Sequence, residues 1–149
     1  ALPIFFCAPG HPLAMHGEAT LADLARESWI VREPGSGTRE TLDHALRHHR
    51  VELRIRLELE HTEAIKRAVE SGLGIGCVSR LALREAFRRG SLVELRTPAL
   101  DLRRHFHFLW HKRKFQTAGM HGFLALCREV TAGAARSDEI CLTRIAGTD

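Results

Sequence analysis

The spacing of apolar and polar positions predicts strands and helices that alternate along this chain. Leu2 to Ala8 is an unbroken apolar run closed by Pro9-Gly10-His11-Pro12, which reads as a buried strand followed by a turn. Thr20 is placed to cap a short helix from Leu21 to Arg26, and Trp29-Ile30-Val31 makes a brief second strand. A loop, Glu33 to Gly37, leads into a helix from Thr38 to His49. Val51, Leu53, Ile55, Leu57 and Leu59 then alternate with Glu52, Arg54, Arg56, Glu58 and Glu60, which predicts a strand with one buried and one wetter face. Thr62 is expected to cap the next helix, whose Ala64, Ile65, Ala68, Val69 and Gly72 share a side.

The second half repeats the alternation. Gly72-Leu73-Gly74 ends the third helix, and Ile75 to Val78 is a strand. Ser79 caps a helix that runs to Arg89, Gly90 closes it, and Leu92 to Leu95 is a further strand. His105 to His111 reads as another strand, and Thr117 opens a last helix to about Val130, with a flexible tail over 131–149. Strands and helices that alternate almost one for one predict an α/β fold with a largely parallel sheet.

Composition narrows the picture modestly. The chain has 149 residues, 44% hydrophobic and 27% charged, so it can bury a core and is neither disordered nor collagen-like. No run of 18 apolar residues occurs, so no membrane partner is expected. The start, Ala1-Leu2-Pro3-Ile4, has neither an initiator Met nor a charged leader and reads as the inside of a strand. The formal charge is +4, but acidic residues are interleaved with the basic ones, and the densest basic cluster is only Lys112-Arg113-Lys114. A mixed, mildly basic surface is the expectation rather than a nucleic-acid groove. Cys7, Cys77, Cys127 and Cys141 form no Cys-x-x-Cys pair; buried free thiols fit a reducing, cytoplasmic compartment.

Two junctions carry candidate chemistry. In the first, a strand feeds Gly35-Ser36-Gly37-Thr38, a Gly-rich loop that becomes a helix N-terminus. Unpaired N–H groups and the positive end of the helix dipole suit a small anion there, and Ser36 and Thr38 add hydroxyl donors. An ordinary capped helix start is the competing reading. The loop lacks the Gly-Lys-Ser/Thr of a P-loop and the Gly-x-Ser-x-Gly of a nucleophile elbow. In the second, His61-Thr62 joins the alternating strand to its helix, which in a parallel sheet lies on the same edge as the Ser36 loop. Gly72-x-Gly74-x-Gly76 resembles half a dinucleotide fingerprint, but a helix precedes it and a strand follows, so it reads as a tight turn. His105, His107 and His111 share one side of the expected strand, yet the ligand count falls short of a zinc site. No metal, cofactor or catalytic group is assigned.

The stretch Trp29 to Arg39, then His61 to Arg80, then Asp101 to Lys112 with Gln116-Thr117-Ala118 and Phe123-Leu124, resembles three landmarks, in order, of the effector-binding domain of LysR-type transcriptional regulators. In detail it is most similar to the CysB-like, YeiE-like branch, several of whose members are associated with sulfur metabolism. The resemblance implies a type II periplasmic-binding-protein-like fold, of which residues 1–130 would supply mainly the second lobe, both hinge strands and the C-terminal helix of the first. It implies a small anionic effector in the cleft, with a sulfur oxyanion favoured, and no enzyme activity. Gly35, Ser36, Gly37 and Thr38 fall on the family's ligand-contacting loop, and His61 and Thr62 on its second contacting turn. Promoter DNA would be met only through a winged helix-turn-helix that these residues do not include. A homo-oligomer is expected, because Met120, Phe123, Leu124 and Cys127 form an apolar stripe that needs a partner. The alternatives are the solute-binding component of a transporter, which shares the fold, and a hydrolase or metal enzyme built on the histidines.

Overall fold

The computed structural model describes residues 2–103, 109, 111, 113, 115 and 117–132. Leu2–Arg104 forms one compact unit, and the C-terminal helix belongs to a second. The first unit contains β1 (Pro3–Cys7), a 3₁₀ turn (Pro12–Met15), α1 (Leu21–Arg26), β2 (Ser28–Arg32), α2 (Gly37–His48), β3 (Arg54–Leu59), α3 (Thr62–Glu70), β4 (Ile75–Ser79), α4 (Arg80–Arg89) and β5 (Val93–Leu95). The second contains α5 (Ala118–Thr131), capped by Thr117, whose hydroxyl accepts from the Met120 N–H. Phe123 of its apolar stripe and the nearby Leu126 are exposed. The strand expected over His105 to His111 and the tail expected over 131–149 lie largely outside the described residues.

The five strands form one sheet in the order β3-β2-β4-β1-β5. Side chains of successive residues point to opposite faces, and each face has its own core. Phe5, Trp29, Val31, Ile75, Cys77 and Leu95 pack on one face with Leu24 of α1 and Leu42 and Leu46 of α2. Ile4, Phe6, Ile30 and Val78 pack on the other with Ile65 and Val69 of α3 and Leu83 of α4. This three-layer arrangement explains why β1, β2 and β4 read as continuous apolar runs. Within the first core the rings of Phe5 and Trp29 meet edge to face at 5.2 Å, and Trp29 Nε1 donates to the Leu24 carbonyl at 2.8 Å.

The expected sheet direction requires correction. β2 is parallel to β3 and β4, but β1 runs antiparallel to both β4 and β5, so the sheet is mixed. The reason is connectivity: β1 ends on the edge from which β2 starts, so the 3₁₀ turn and α1 link them without crossing the sheet again.

β3 also differs from its expectation. It covers only Arg54–Leu59, neither face is closed over, and Ile55 remains 41% exposed. The strand lies at the sheet edge, and its pairing with β2 skips a residue between Trp29↔Ile55 and Ile30↔Leu57. That bulge reverses the facing of the strand, so Leu53 packs on the first core while Leu57 packs on the second. Its polar members act as latches: Arg54 donates to the Arg26 carbonyl at 3.0 Å and Arg56 to the Leu73 carbonyl at 3.1 Å.

The glycine-rich turn between α3 and β4 is structural, as its position implied. Gly72 takes the left-handed conformation past the helix end. Gly74, at φ 155°, passes so close to β2 that a Cβ would sit 2.1 Å from the Ser28 carbonyl oxygen. Gly76 lies under the Phe6 ring, 2.6 Å from where a Cβ would be. Gly74→Ala is expected to destabilise the fold by at least ~3 kcal/mol, because backbone rather than a movable side chain must give way. A thermal or denaturant melt of that variant measures it.

Cys7 and Cys77 are buried thiols outside any disulfide, and burial pushes the Cys7 thiol up to about 11. Both are expected to resist a thiol reagent in the folded protein and to react on unfolding, whereas the half-buried Cys127 reacts first. Site-resolved labelling by mass spectrometry, with and without denaturant, reads the difference.

Candidate functional site

The carboxyl edge of the parallel strands is where the candidate residues come together. β2 ends at Arg32, and Glu33-Pro34-Gly35-Ser36 makes a tight turn closed by the Ser36 N–H donating to the Glu33 carbonyl at 3.2 Å. Gly35 sits at φ 87°, the left-handed geometry that the third position of a type II turn demands, with Pro34 before it. Ser36 is the N-cap of α2, and its carbonyl accepts from the Glu40 N–H at 2.9 Å. Gly37 and Thr38 are the first two helical residues.

β3 lies beside β2, with Arg32 opposite Leu59, so the next helix begins from the adjacent strand on the same edge. His61, not Thr62, is the N-cap of α3; Thr62 is its first helical residue. The extended backbone of His61 makes the transition, and its carbonyl accepts the Ile65 N–H at 3.1 Å. The two junctions feel each other electrostatically. The Glu33 carboxyl is held below its usual range first by its hydrogen bond from Arg32 and also by the nearby His61.

Neither Ser36 nor His61 uses its side chain to cap its helix. The first N–H groups of α2 and α3 therefore have no partner from those caps. The hydroxyl-bearing residues beside them are enclosed: Ser36 is 9% exposed and Thr38 8%, and neither side chain makes a hydrogen bond among the described residues. These two hydroxyls at the helix start are thus open to an acceptor from outside, whether water or a ligand. All six candidate residues, Gly35, Ser36, Gly37, Thr38, His61 and Thr62, thus fall on one edge.

Two residues at the same edge were given no ligand-contacting part from the sequence, Ser79 being read as a helix cap and Arg39 as the end of the candidate stretch. Ser79 ends β4 and caps α4, again without a side-chain cap bond, and its Oγ is buried with no hydrogen-bond partner. β4 is parallel to β2 on the side opposite β3, so α4 is a third helix starting from this edge. A serine at both the β2–α2 and the β4–α4 junction was the available signal. Arg39 holds the first helix in place. Its guanidinium donates to the Arg32 carbonyl at 3.0 Å, to Glu58 of β3 at 2.9 Å and to Asp43 at 3.0 Å. It thereby ties α2 to the ends of both strands that frame the site. Arg32 pairs in turn with Glu33 through two bonds of 2.7 Å, which neutralises the one carboxylate in the turn.

Comparison with known proteins gives the family and the fold. Residues 3–132 match the family model of the LysR substrate binding domain. The chain belongs to that family. It is 40% identical over 124 residues to YeiE, an HTH-type transcriptional regulator of Escherichia coli K12, covering 83% of this chain and 42% of YeiE. It is 33% identical over 99 residues to the regulator CysL of Bacillus subtilis 168, covering 66% of this chain and 33% of CysL. The chain therefore spans less than half the length of these relatives. Among solved structures, the CcmR regulatory domain of Synechocystis PCC6803 in complex with 2-PG superposes with a TM-score of 0.74 at 28% identity, covering 89% of this chain and 64% of that one. The cofactor-binding domain of the Cbl regulator shares the fold, with a TM-score of 0.66 over 99% of this chain and 62% of that one. The mixed α/β architecture is thus that of LysR regulatory domains, in the type II periplasmic-binding-protein-like class. Among the described residues no helix is long and apolar enough to cross a membrane.

Arg39→Ala is expected to lower stability by about 2 kcal/mol, because it strips charged hydrogen-bond partners at a half-buried junction. Arg39→Lys recovers only part, since one ammonium cannot serve three acceptors set around a planar fork. Denaturant titration of the two variants ranks them.

Proposed function

We propose that this chain is the effector-sensing part of a LysR-type transcriptional regulator, and that its site holds a small anionic metabolite. The observation that supports this reading most directly is the pair of unpartnered hydroxyls carried by the largely buried Ser36 and Thr38 at the start of α2. An anion there accepts from those hydroxyls and from the free N–H groups of α2, with the N-terminus of α3 beside it. Gly35 shapes the turn, and His61 and Thr62 line the second junction. A sulfur oxyanion suits a pocket of N–H and O–H donors, and similarity to CysL and YeiE is in keeping with that choice. The CcmR relative, solved with 2-PG, supports a small ligand at this kind of domain.

The role is regulatory rather than catalytic: ligand occupancy biases a two-state protein whose DNA-binding module lies outside these residues. Promoter DNA, a homo-oligomeric assembly and a cytoplasmic setting follow from that role. The similar proteins are transcriptional regulators, which favours this reading over a transporter's solute-binding component.

A thermal-shift screen of the chain against sulfite, sulfate, thiosulfate, phosphate and small carboxylates tests the proposal. A ligand present at a hundredfold over its Kd adds about 2.7 kcal/mol to folding stability. A rise in melting temperature for one anion, abolished in Thr38→Val, is the expected result. No rise for any anion would remove the anion site from this part of the molecule.

A further inference from the structure

The C-terminal half of α2 carries a feature that the effector site does not use. His44 and His48 stand one turn apart on its exposed side, with their Nε2 atoms 3.4 Å apart and their rings nearly perpendicular at 84°. As a hydrogen bond this separation is long, since such bonds fall near 2.7–3.2 Å (about 2.9 Å at the mode). As a shared ligand distance it fits well. Two zinc–nitrogen bonds of about 2.0–2.1 Å, opened to a tetrahedral angle, place their nitrogens about 3.3 Å apart.

The setting favours a cation. His48 is the last residue of α2, where unpaired carbonyls and the negative end of the helix dipole gather. Arg47, between them in the helix, donates to the Asp43 carbonyl at 3.3 Å, while the Asp43 carboxylate is engaged by Arg39. Both imidazoles are exposed, so an ion reaches them without opening the fold. No third His, Cys, Asp or Glu joins them among the described residues, which leaves the remaining positions to water.

We propose that His44 and His48 form a two-histidine site for a divalent transition-metal ion of the zinc, copper and nickel group, bound through both Nε2 atoms. Imidazole ligands and a helix-imposed bite select that group over magnesium or calcium, which prefer oxygen cages. A bound ion clamps the last turn of α2 and stabilises the helix.

The test is a zinc chloride titration of the metal-stripped chain, followed by calorimetry and by the melting temperature, with His44→Gln, His48→Gln and a His121→Gln control on α5. Cobalt(II) absorption reports the ligand geometry. One zinc equivalent that raises the melting temperature, is lost in both His44→Gln and His48→Gln and survives in the control, is the expected result. Titrations of His44→Gln and His48→Gln that match the unchanged chain would overturn the site, and any zinc retained there would belong to other histidines. Because both substituted side chains are exposed, circular dichroism of the variants is expected to match that of the unchanged chain.

Discussion

The carbonyl oxygen of Ser28 lies where a side chain on residue 74 would have to go, and that close approach controls how β2 and β4 lie together. Only the absence of a Cβ at Gly74 lets the turn after α3 descend against the start of β2. From that contact the register follows, with Trp29 opposite Ile75 and Ile30 opposite Gly76. Gly76 then gives up its side chain so that the Phe6 ring can fill the space, which seats β1 on the far side of β4. The parallel alignment of β3, β2 and β4 brings the starts of α2, α3 and α4 to one edge. The gathering of these helix starts at one edge is a consequence of backbone packing at the opposite end of the strands.

Much of this was legible in the residues, for identifiable physical reasons. The Thr20 cap was visible because Thr and Asp three residues apart form a reciprocal pair, and the hydroxyl and carboxylate of Thr20 and Asp23 do bond each other's backbone N–H groups. The end of α4 was legible because Gly90 is suited to the left-handed turn that it adopts. The triple glycine was assigned to a turn because its order along the chain was wrong for a nucleotide loop. The two candidate junctions stood out because glycines and hydroxyl residues clustered where strand became helix.

What escaped the sequence was set by partners far away in it. The direction of β1 depends on β4 and β5, and nothing within Pro3–Cys7 records it. The alternation from Val51 to Glu60 was real, but a bulge against β2 turned its apolar residues to two different cores. The cap of α3 moved from Thr62 to His61 because backbone geometry, rather than hydroxyl chemistry, ends the strand there. Arg39 escaped because its three partners come from two strands and its own helix, and only the assembled edge brings them within reach.

The position of β1 has a consequence for how the molecule forms. β1 precedes the other four strands in the chain, yet in the sheet it lies between β4 and β5, the last two of the five. Its neighbours are thus made some seventy or more residues later, with every other element of the sheet threaded between (~70). Such non-local pairing slows folding, because loop closure must precede the contacts that reward it. Within this unit the apolar Pro3–Cys7 segment precedes all its partners in the chain and waits longest for them. The completion of β5 is therefore the step at which the sheet closes as a unit, and the shielding of that first strand until then falls to chaperones or to fast collapse of its apolar side chains.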